Sequence, residues 1–190
     1  MIQIRWYARG GQGAKTASAM VAEAAVRGGR FAQGFPGYGA ERQGAPTRAY
    51  NRVREKPVLE HDAVYEPDIV LVLDESLLDS QGVADGLRRD GVLVVNSRED
   101  PGRTRDRLGL DHGRVYAVDA SGIAGEELGR PIPNTVMIGA LARVSDAVSV
   151  DRATEEVRSK LSGKLDRASV EGNLRALDRA SRELRGEDHG

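Results

Sequence analysis

Ile2-Gln3-Ile4-Arg5-Trp6-Tyr7-Ala8-Arg9-Gly10-Gly11-Gln12-Gly13-Ala14-Lys15-Thr16 opens the chain as a strand that turns on glycines into a helix. Ile2, Ile4 and Trp6 alternate with polar residues at the period of a strand. Beyond the turn, Ala17, Met20, Val21, Ala24 and Ala25 recur at helical spacing until Gly28-Gly29 stops the helix near Arg27. Gly10, Gly11 and Gly13 let the backbone bend sharply and leave room where a Cβ would collide. The helix that follows presents unpaired N–H groups and the positive end of its dipole. This is a cradle for an anionic group such as phosphate. Lys15 in the first turn is locally unfavourable by about 0.3–1 kcal/mol, which an anionic partner would explain.

Two nucleotide motifs are tested and set aside. The dinucleotide fingerprint has a third glycine or alanine where this chain has Thr16, and no acidic residue closes a strand about 20 positions on. The P-loop needs glycine before its lysine, and Ala14 stands there; Arg9 occupies the place of its first glycine. A glycine turn that merely reverses the chain remains the plain alternative.

Outward from the turn, a short strand is expected near Arg30 to Gln33, then irregular structure through Gly34-Phe35-Pro36-Gly37-Tyr38-Gly39, then a strand from Thr47 to Val53. Ile69 to Leu73 and Val92 to Asn96 are continuous apolar runs of the kind that form central parallel strands. Helical sequence is read between them from Ser76 to Arg89. Val115 to Val118 is a further strand, followed by helix from Ile123 to Leu128. Three helices follow: Thr135 to Ala147 capped by Asn134, one capped by Asp151 up to Leu161, and one from Asp166 to about Leu184. The pattern predicts an α/β fold: a three-layer Rossmann-like sandwich with a mostly parallel central sheet and a helical C-terminal region. Residues 1–185 are expected to form a single domain and 186–190 a flexible tail.

Composition narrows the function. The chain has 190 residues, 39% of them hydrophobic and only 4% aromatic, so its core is built from Val, Leu, Ile and Ala. A formal net charge of −1 supplies no field for nucleic acid or an anionic membrane. There is no apolar run of about 18 residues and no basic, apolar leader at the start, which points to a cytoplasmic protein. The chain has no cysteine, which excludes disulfides, a thiolate nucleophile and iron–sulfur ligation by its own thiols. His61, His112 and His189 are scattered without a second ligand at metal spacing, so no metal site is expected.

The Gly37 to Pro46 stretch is a second candidate, because long irregular loops in compact domains are usually functional or disordered. Arg42 there is suited to bidentate recognition of phosphate or carboxylate, and equally to pairing with Glu41.

Four spaced motifs carry a family resemblance. Ile4-Arg5-Trp6 with Gly10-Gly11-Gln12-Gly13-Ala14 is the first, and the Phe35-Pro36-x-Tyr38-Gly39-x-Glu41-Arg42-x-Gly44-x-Pro46 loop is the second. The Tyr65-Glu66-Pro67-Asp68 lead into the strand ending at Asp74 and Asn134-Thr135-Val136-Met137-Ile138-Gly139-Ala140 complete the set. Over residues 1 to 185 the chain resembles the gamma subunit of the 2-oxoacid:acceptor oxidoreductases, the pyruvate:ferredoxin oxidoreductase family. Gln43 and Ala45 depart from the residues common in that loop. The resemblance implies a subunit of an enzyme that oxidatively decarboxylates a 2-oxoacid with coenzyme A, giving acyl-CoA and carbon dioxide. Thiamine diphosphate with Mg and the iron–sulfur clusters would lie on alpha, beta and delta-type partner subunits, with ferredoxin or a flavin/NAD subunit as acceptor. The lack of cysteine here agrees with that division.

The resemblance also implies a role for this chain in holding CoA, with no catalytic residue of its own. The expected CoA-binding set is Gly10, Gly11, Gln12, Gly13, Ala14, Lys15, Arg42 and Asn134. The backbone N–H groups of 11–14 would face a CoA phosphate, Lys15 would supply countercharge and Gln12 an amide hydrogen bond. Asp74 stands at a strand's carboxyl end, where open sheets place ligands, or simply caps the next helix. The alternative is a free-standing nucleotide-binding module, a dehydrogenase or a regulatory sensor. The missing fingerprint and the lack of a catalytic dyad count against it.

Overall fold

The computed structural model describes residues 1–37, 43–60 and 62–187. Strands β1 (Ile2–Arg9), β2 (Phe31–Pro36), β3 (Pro46–Arg54), β4 (Ile69–Val72), β5 (Val92–Asn96), β6 (Arg114–Val118) and β7 (Arg185–Gly186) form one sheet in the order β2-β3-β1-β4-β5-β6-β7. The middle of the sheet, β1-β4-β5-β6, is parallel, while β3, β2 and β7 are added antiparallel. Helices α1 (Ala14–Arg27), α3 (Ala120–Leu128), α4 (Asn134–Val144), α5 (Val150–Leu161) and α6 (Arg167–Glu183) form the helical layer. The α/β sandwich with a parallel centre and a helical C-terminal region is the architecture expected from the sequence.

Alternation along the strands builds two cores. Ile4, Trp6 and Ala8 of β1, Ile69 and Leu71 of β4 and Val92 and Val94 of β5 meet Met20, Met137, Ile138, Leu141 and Leu177 from the helical layer. Tyr7, Val70, Val72, Leu93 and Val95 face the other way, under Leu77, Leu78, Val83 and Leu87. With both faces covered, every residue of β4 and β5 is buried, as their unbroken apolar runs require.

The second cover is not the helix expected from Ser76 to Arg89. It is one 3-10 turn, Glu75–Leu77, followed by turns. Gly82 and Gly86 take φ of +55° and +71°, and a Cβ on Gly86 would lie 2.1 Å from the Tyr65 carbonyl oxygen. Arg5, 6% exposed, holds this segment from below. Its Nη1 donates to the Asp85 carbonyl (2.9 Å), its Nη2 to the Tyr65 carbonyl (2.8 Å) and its Nε to the Val64 carbonyl (3.1 Å). The Asp85 carbonyl is thus committed to a guanidinium rather than to a helix ladder, and the same guanidinium ties the segment to Val64 and Tyr65.

Other elements differ in detail. A helix α2 (Pro101–Leu108), not anticipated, is set up by proline at its first position and by Asp100, whose carboxylate accepts from the Gly102 N–H at 2.8 Å. β2 continues through Gly34 to Pro36, where irregular chain was expected, because Gly34 lets α1 lie directly on the strand. A Cβ there would be 2.3 Å from the Ser18 carbonyl oxygen. Helix α5 is capped by Ser149 instead of Asp151, and α4 runs from Asn134 to Val144 instead of on to Ala147. At the C-terminus, Gly186 pairs with Tyr116. Arg105 grips the Glu187 carboxylate through Nε (2.5 Å) and Nη2 (2.7 Å). The segment expected to fray thus begins fastened to the sheet; residues 188–190 lie outside the described residues. No helix among the described residues is long and apolar enough to cross a membrane.

Candidate ligand site

The glycine turn sits at the carboxyl end of β1, in the middle of the sheet. Gly11 and Gly13 adopt φ of +100° and +82°, conformations that L side chains rarely accept. Gly13 is the N-cap of α1 and offers no side chain to close it. The N–H groups of Ala14 and Thr16 have no acceptor among the described residues. Elsewhere the chain caps its helices with side chains: Asp100 for α2, Asp119 for α3, Ser149 for α5 and Asp166 for α6.

The other exception is α4, which starts behind Pro133 without a side-chain cap bond. These two ends meet. Asn134, the first residue of α4, lies so close to the turn that a Cβ on Gly13 would be 2.6 Å from Asn134 Nδ2. Asn134 Oδ1 accepts from the Thr135 N–H at 2.8 Å, which leaves Nδ2 with no acceptor among the described residues. Neither helix carries an acidic residue in its first turn. Two uncapped dipole ends therefore point positive potential and free donors at one crevice, an arrangement that suits an anion.

Gln12, expected to offer its amide to a ligand, also latches the turn. Its Oε1 accepts from the Arg9 N–H (2.7 Å) and its Nε2 donates to Asp74 Oδ2 (2.9 Å). Asp74 also accepts from the Ser76 N–H (3.1 Å) and from Ser76 Oγ (2.5 Å), and Arg9 Nε stands 3.5 Å from its Oδ2. Burial pushes the Asp74 carboxyl up, but the bonds from Ser76 Oγ, Gln12 and the Ser76 N–H, with the Arg9 charge, outweigh it and hold its pKa below the ordinary aspartate value. Asp74 is thus anionic at neutral pH and serves as an anchor rather than a base. Arg9 Nη1 donates to the Gly44 carbonyl (3.1 Å), and Gly10 and the 44–45 segment exchange two backbone bonds, Gly10 N–H to Ala45 O (2.8 Å) and Gly44 N–H to Gly10 O (3.0 Å). These bonds hold the cradle in shape.

The structure brings together Gly10, Gly11, Gln12, Gly13, Ala14 and Asn134, with Lys15 exposed in the first turn of α1. Arg42, with Tyr38 and Glu41 of its loop, lies outside the described residues, as do His61 and His189. His112 bonds Asp111 Oδ1 (2.6 Å) and the Leu87 carbonyl (3.0 Å), contacts that raise its pKa and mark a turn-fastening role. No group of three His, Cys, Asp or Glu residues that could hold a metal occurs among the described residues. The Arg9–Gln12–Asp74–Ser76 latch was not read from the sequence, since nothing in the spacing of these residues announces that they meet. Asp74 closing a central strand was the one available signal.

Comparison with known proteins adds a second line. Residues 3–183 match the family model described as pyruvate ferredoxin/flavodoxin oxidoreductase. The chain is 43% identical over 183 residues to the pyruvate synthase subunit PorC of Thermotoga maritima, covering 96% of this chain and 94% of that protein. It is 41% identical over 180 residues to the pyruvate/ketoisovalerate oxidoreductases common subunit gamma of Thermococcus kodakarensis, covering 95% of each. The crystal structure of pyruvate oxidoreductase subunit PORC from Thermotoga maritima superposes with a TM-score of 0.87 at 41% identity, covering 98% of both chains. A 2-oxoglutarate:ferredoxin oxidoreductase from Magnetococcus marinus shares the fold, with a TM-score of 0.76 at 19% identity, over 95% of this chain and 30% of that one.

Proposed function

The chain belongs to the pyruvate ferredoxin/flavodoxin oxidoreductase family, as the gamma subunit of a multisubunit 2-oxoacid oxidoreductase, and from that premise we propose that its task is to hold coenzyme A for the reaction. In that reaction the 2-oxoacid carboxylate leaves as carbon dioxide and the CoA sulfur joins the former keto carbon. Two electrons pass on toward ferredoxin or a flavin/NAD subunit, and the thiol proton of CoA is released. Thiamine diphosphate with Mg, carried with the iron–sulfur clusters by alpha, beta and delta-type partners, supplies the chemistry at that carbon.

What this chain supplies is position. The observation that carries the reading is the meeting of two uncapped helix N-termini at Gly13 and Asn134, with an anchored glycine turn between them. CoA is the reactant that carries phosphates, and its diphosphate suits backbone donors that need no reorganisation. Lys15 at the rim adds countercharge. The related Magnetococcus marinus enzyme is described with coenzyme A bound, which accords with this role. The Thermococcus kodakarensis relative is named as common to pyruvate and ketoisovalerate enzymes. That accords with a gamma chain that serves the shared CoA and leaves the choice of 2-oxoacid to its partners.

Titration of the purified complex with CoA by calorimetry tests this. Gly13→Val, which would push into Asn134 and force an unfavourable φ, is expected to weaken CoA at least about 10-fold, and Lys15→Ala by about 3–10-fold, through lost charge contact. The KM for the 2-oxoacid should stay put. Unchanged CoA affinity in both variants would reduce the turn to a scaffold.

A further inference from the structure

Helix α4 packs along α6, and two contacts one turn apart define how they sit. Gly139 of α4 lies against the Leu177 carbonyl oxygen of α6, so close that a Cβ would stand 2.1 Å from it. One turn earlier on both helices, Thr135 Oγ1 donates to Asn173 Oδ1 at 3.0 Å, and Asn173 Nδ2 donates to the Ser169 carbonyl at 2.9 Å. Thr135 is 3% exposed and Asn173 9%, among the buried apolar residues Val136, Ile138, Val170 and Leu174. Among the described residues, theirs is the one side-chain hydrogen bond between the two helices.

A buried polar pair of this kind adds little net stability, because apolar groups of the same shape serve nearly as well. What it adds is direction. Apolar side chains re-pack when a helix shifts, and Gly139 has no side chain to resist. A hydrogen bond is lost once donor and acceptor part to about 3.6 Å, so a displacement of about half an ångström breaks this one.

The residue placed by that register is Asn134. Its Oδ1 accepts from the Thr135 N–H at 2.8 Å, and its Nδ2 lies 2.6 Å from where a Gly13 Cβ would stand. Thr135 has one hydroxyl proton and two acceptors in reach, Asn173 Oδ1 at 3.0 Å and Asn134 Oδ1 at 3.4 Å. The nearer acceptor draws the proton away from Asn134 and leaves that amide turned toward the glycine turn. Asn134, Thr135, Ser169 and Asn173 also share one wall of a cavity of about 420 Å³ that opens beside the turn.

We propose that Asn173 is a positioning residue for the ligand site: through Thr135 it fixes the register of α4, and with it the place of Asn134 against the glycine turn. The proposal rests on the CoA reading above. Asn173 acts through Thr135, and Thr135 through Asn134. The three therefore behave as one unit, and their deletions do not add.

Calorimetric titration of the purified complex with CoA tests this, with the KM for the 2-oxoacid and the melting temperature measured alongside. Asn173→Leu, Thr135→Val and the two combined are each expected to weaken CoA by the same factor, about 5–10-fold, with the 2-oxoacid KM unchanged. Thr135→Ser, which keeps the hydroxyl, should bind CoA within twofold of the parent. Adding Thr135→Val to Asn134→Ala should cost nothing beyond Asn134→Ala alone. The combined variant, which removes both partners, should melt within about 3 °C of the parent. Losses that add across Thr135→Val and Asn134→Ala overturn the proposal, because they make Thr135 a separate contact. CoA affinity kept in the combined variant but lost in Gly13→Val also overturns it, and leaves the CoA reading standing. So does a Thr135→Val complex that fails to assemble or loses CoA and 2-oxoacid alike, since the pair then serves stability. An unaltered CoA titration in Gly13→Val overturns the CoA reading and this proposal with it.

Discussion

Glu156 of α5 is 1% exposed, faces Glu23 of α1, and has Arg27 Nε 2.8 Å from its Oε2. Burial pushes its pKa up and the Glu23 carboxyl pushes it further, against the pull of Arg27. Glu23 is held low, chiefly by its hydrogen bond from Lys160 at 2.7 Å. A carboxyl with a raised folded pKa contributes stability below the ordinary glutamate value of 4.5 and loses that contribution as the pH climbs through the folded value. Glu156→Gln removes the titration and gives Glu23 an amide donor. The variant is therefore expected to melt about 2–4 °C above the parent at pH 8, with the difference closing below the ordinary glutamate pKa. Calorimetric melts across that range check this, and a lower melting temperature at pH 8 would refute it. Nothing in the sequence singled out Glu156 within the helix read up to Leu161. Its burial and its neighbour come from α1, which lies more than a hundred residues earlier.

Two glycines set how closely the elements pack. Gly34 brings β2 against α1 at Ser18, where Asn51 Nδ2 also donates to the Ser18 carbonyl (2.7 Å) while Asn51 Oδ1 accepts from Trp6 Nε1 (2.8 Å). Gly139 brings α4 against α6, with a hypothetical Cβ only 2.1 Å from the Leu177 carbonyl oxygen. Backbone cannot yield as a side-chain tip can, so Gly139→Ala is expected to cost about 3 kcal/mol in denaturant unfolding. The same shift of α4 would move Asn134, so CoA affinity should fall as well. A variant as stable as the parent would show that the two helices can part freely. α1 was legible in the sequence from the helical spacing of its apolar residues and β5 from its unbroken apolar run, because in each the pattern is the burial. The 75–91 cover was not, because its helical spacing is overridden by positive φ at two glycines and by a buried arginine that takes the Asp85 carbonyl.

At the scale of the whole molecule, the sheet places the glycine turn at its centre and the helical layer closes one side of the crevice. The far edge is fastened by the Arg105 clasp on Glu187, whose Oε2 also accepts from the Val115 N–H at 3.1 Å. The purified chain alone is expected to show no CoA-dependent 2-oxoacid oxidation, and reconstitution with its partner subunits should restore it. Turnover by the isolated chain, followed as reduction of an artificial electron acceptor, would overturn that assignment of roles.

By itself the sequence determined the α/β architecture, the glycine turn, most strands and the family, because these are encoded in local periodicity and in residue types at short spacing. Asn134 could be singled out there, but its place against Gly13 could not. Tertiary structure alone decided that α1 and α4 leave their N-termini uncapped at one point, that Gln12 and Asp74 lock the turn, and that a cavity opens beside it. Each of these depends on contacts between segments far apart in the chain, and such contacts follow from packing geometry rather than from local composition.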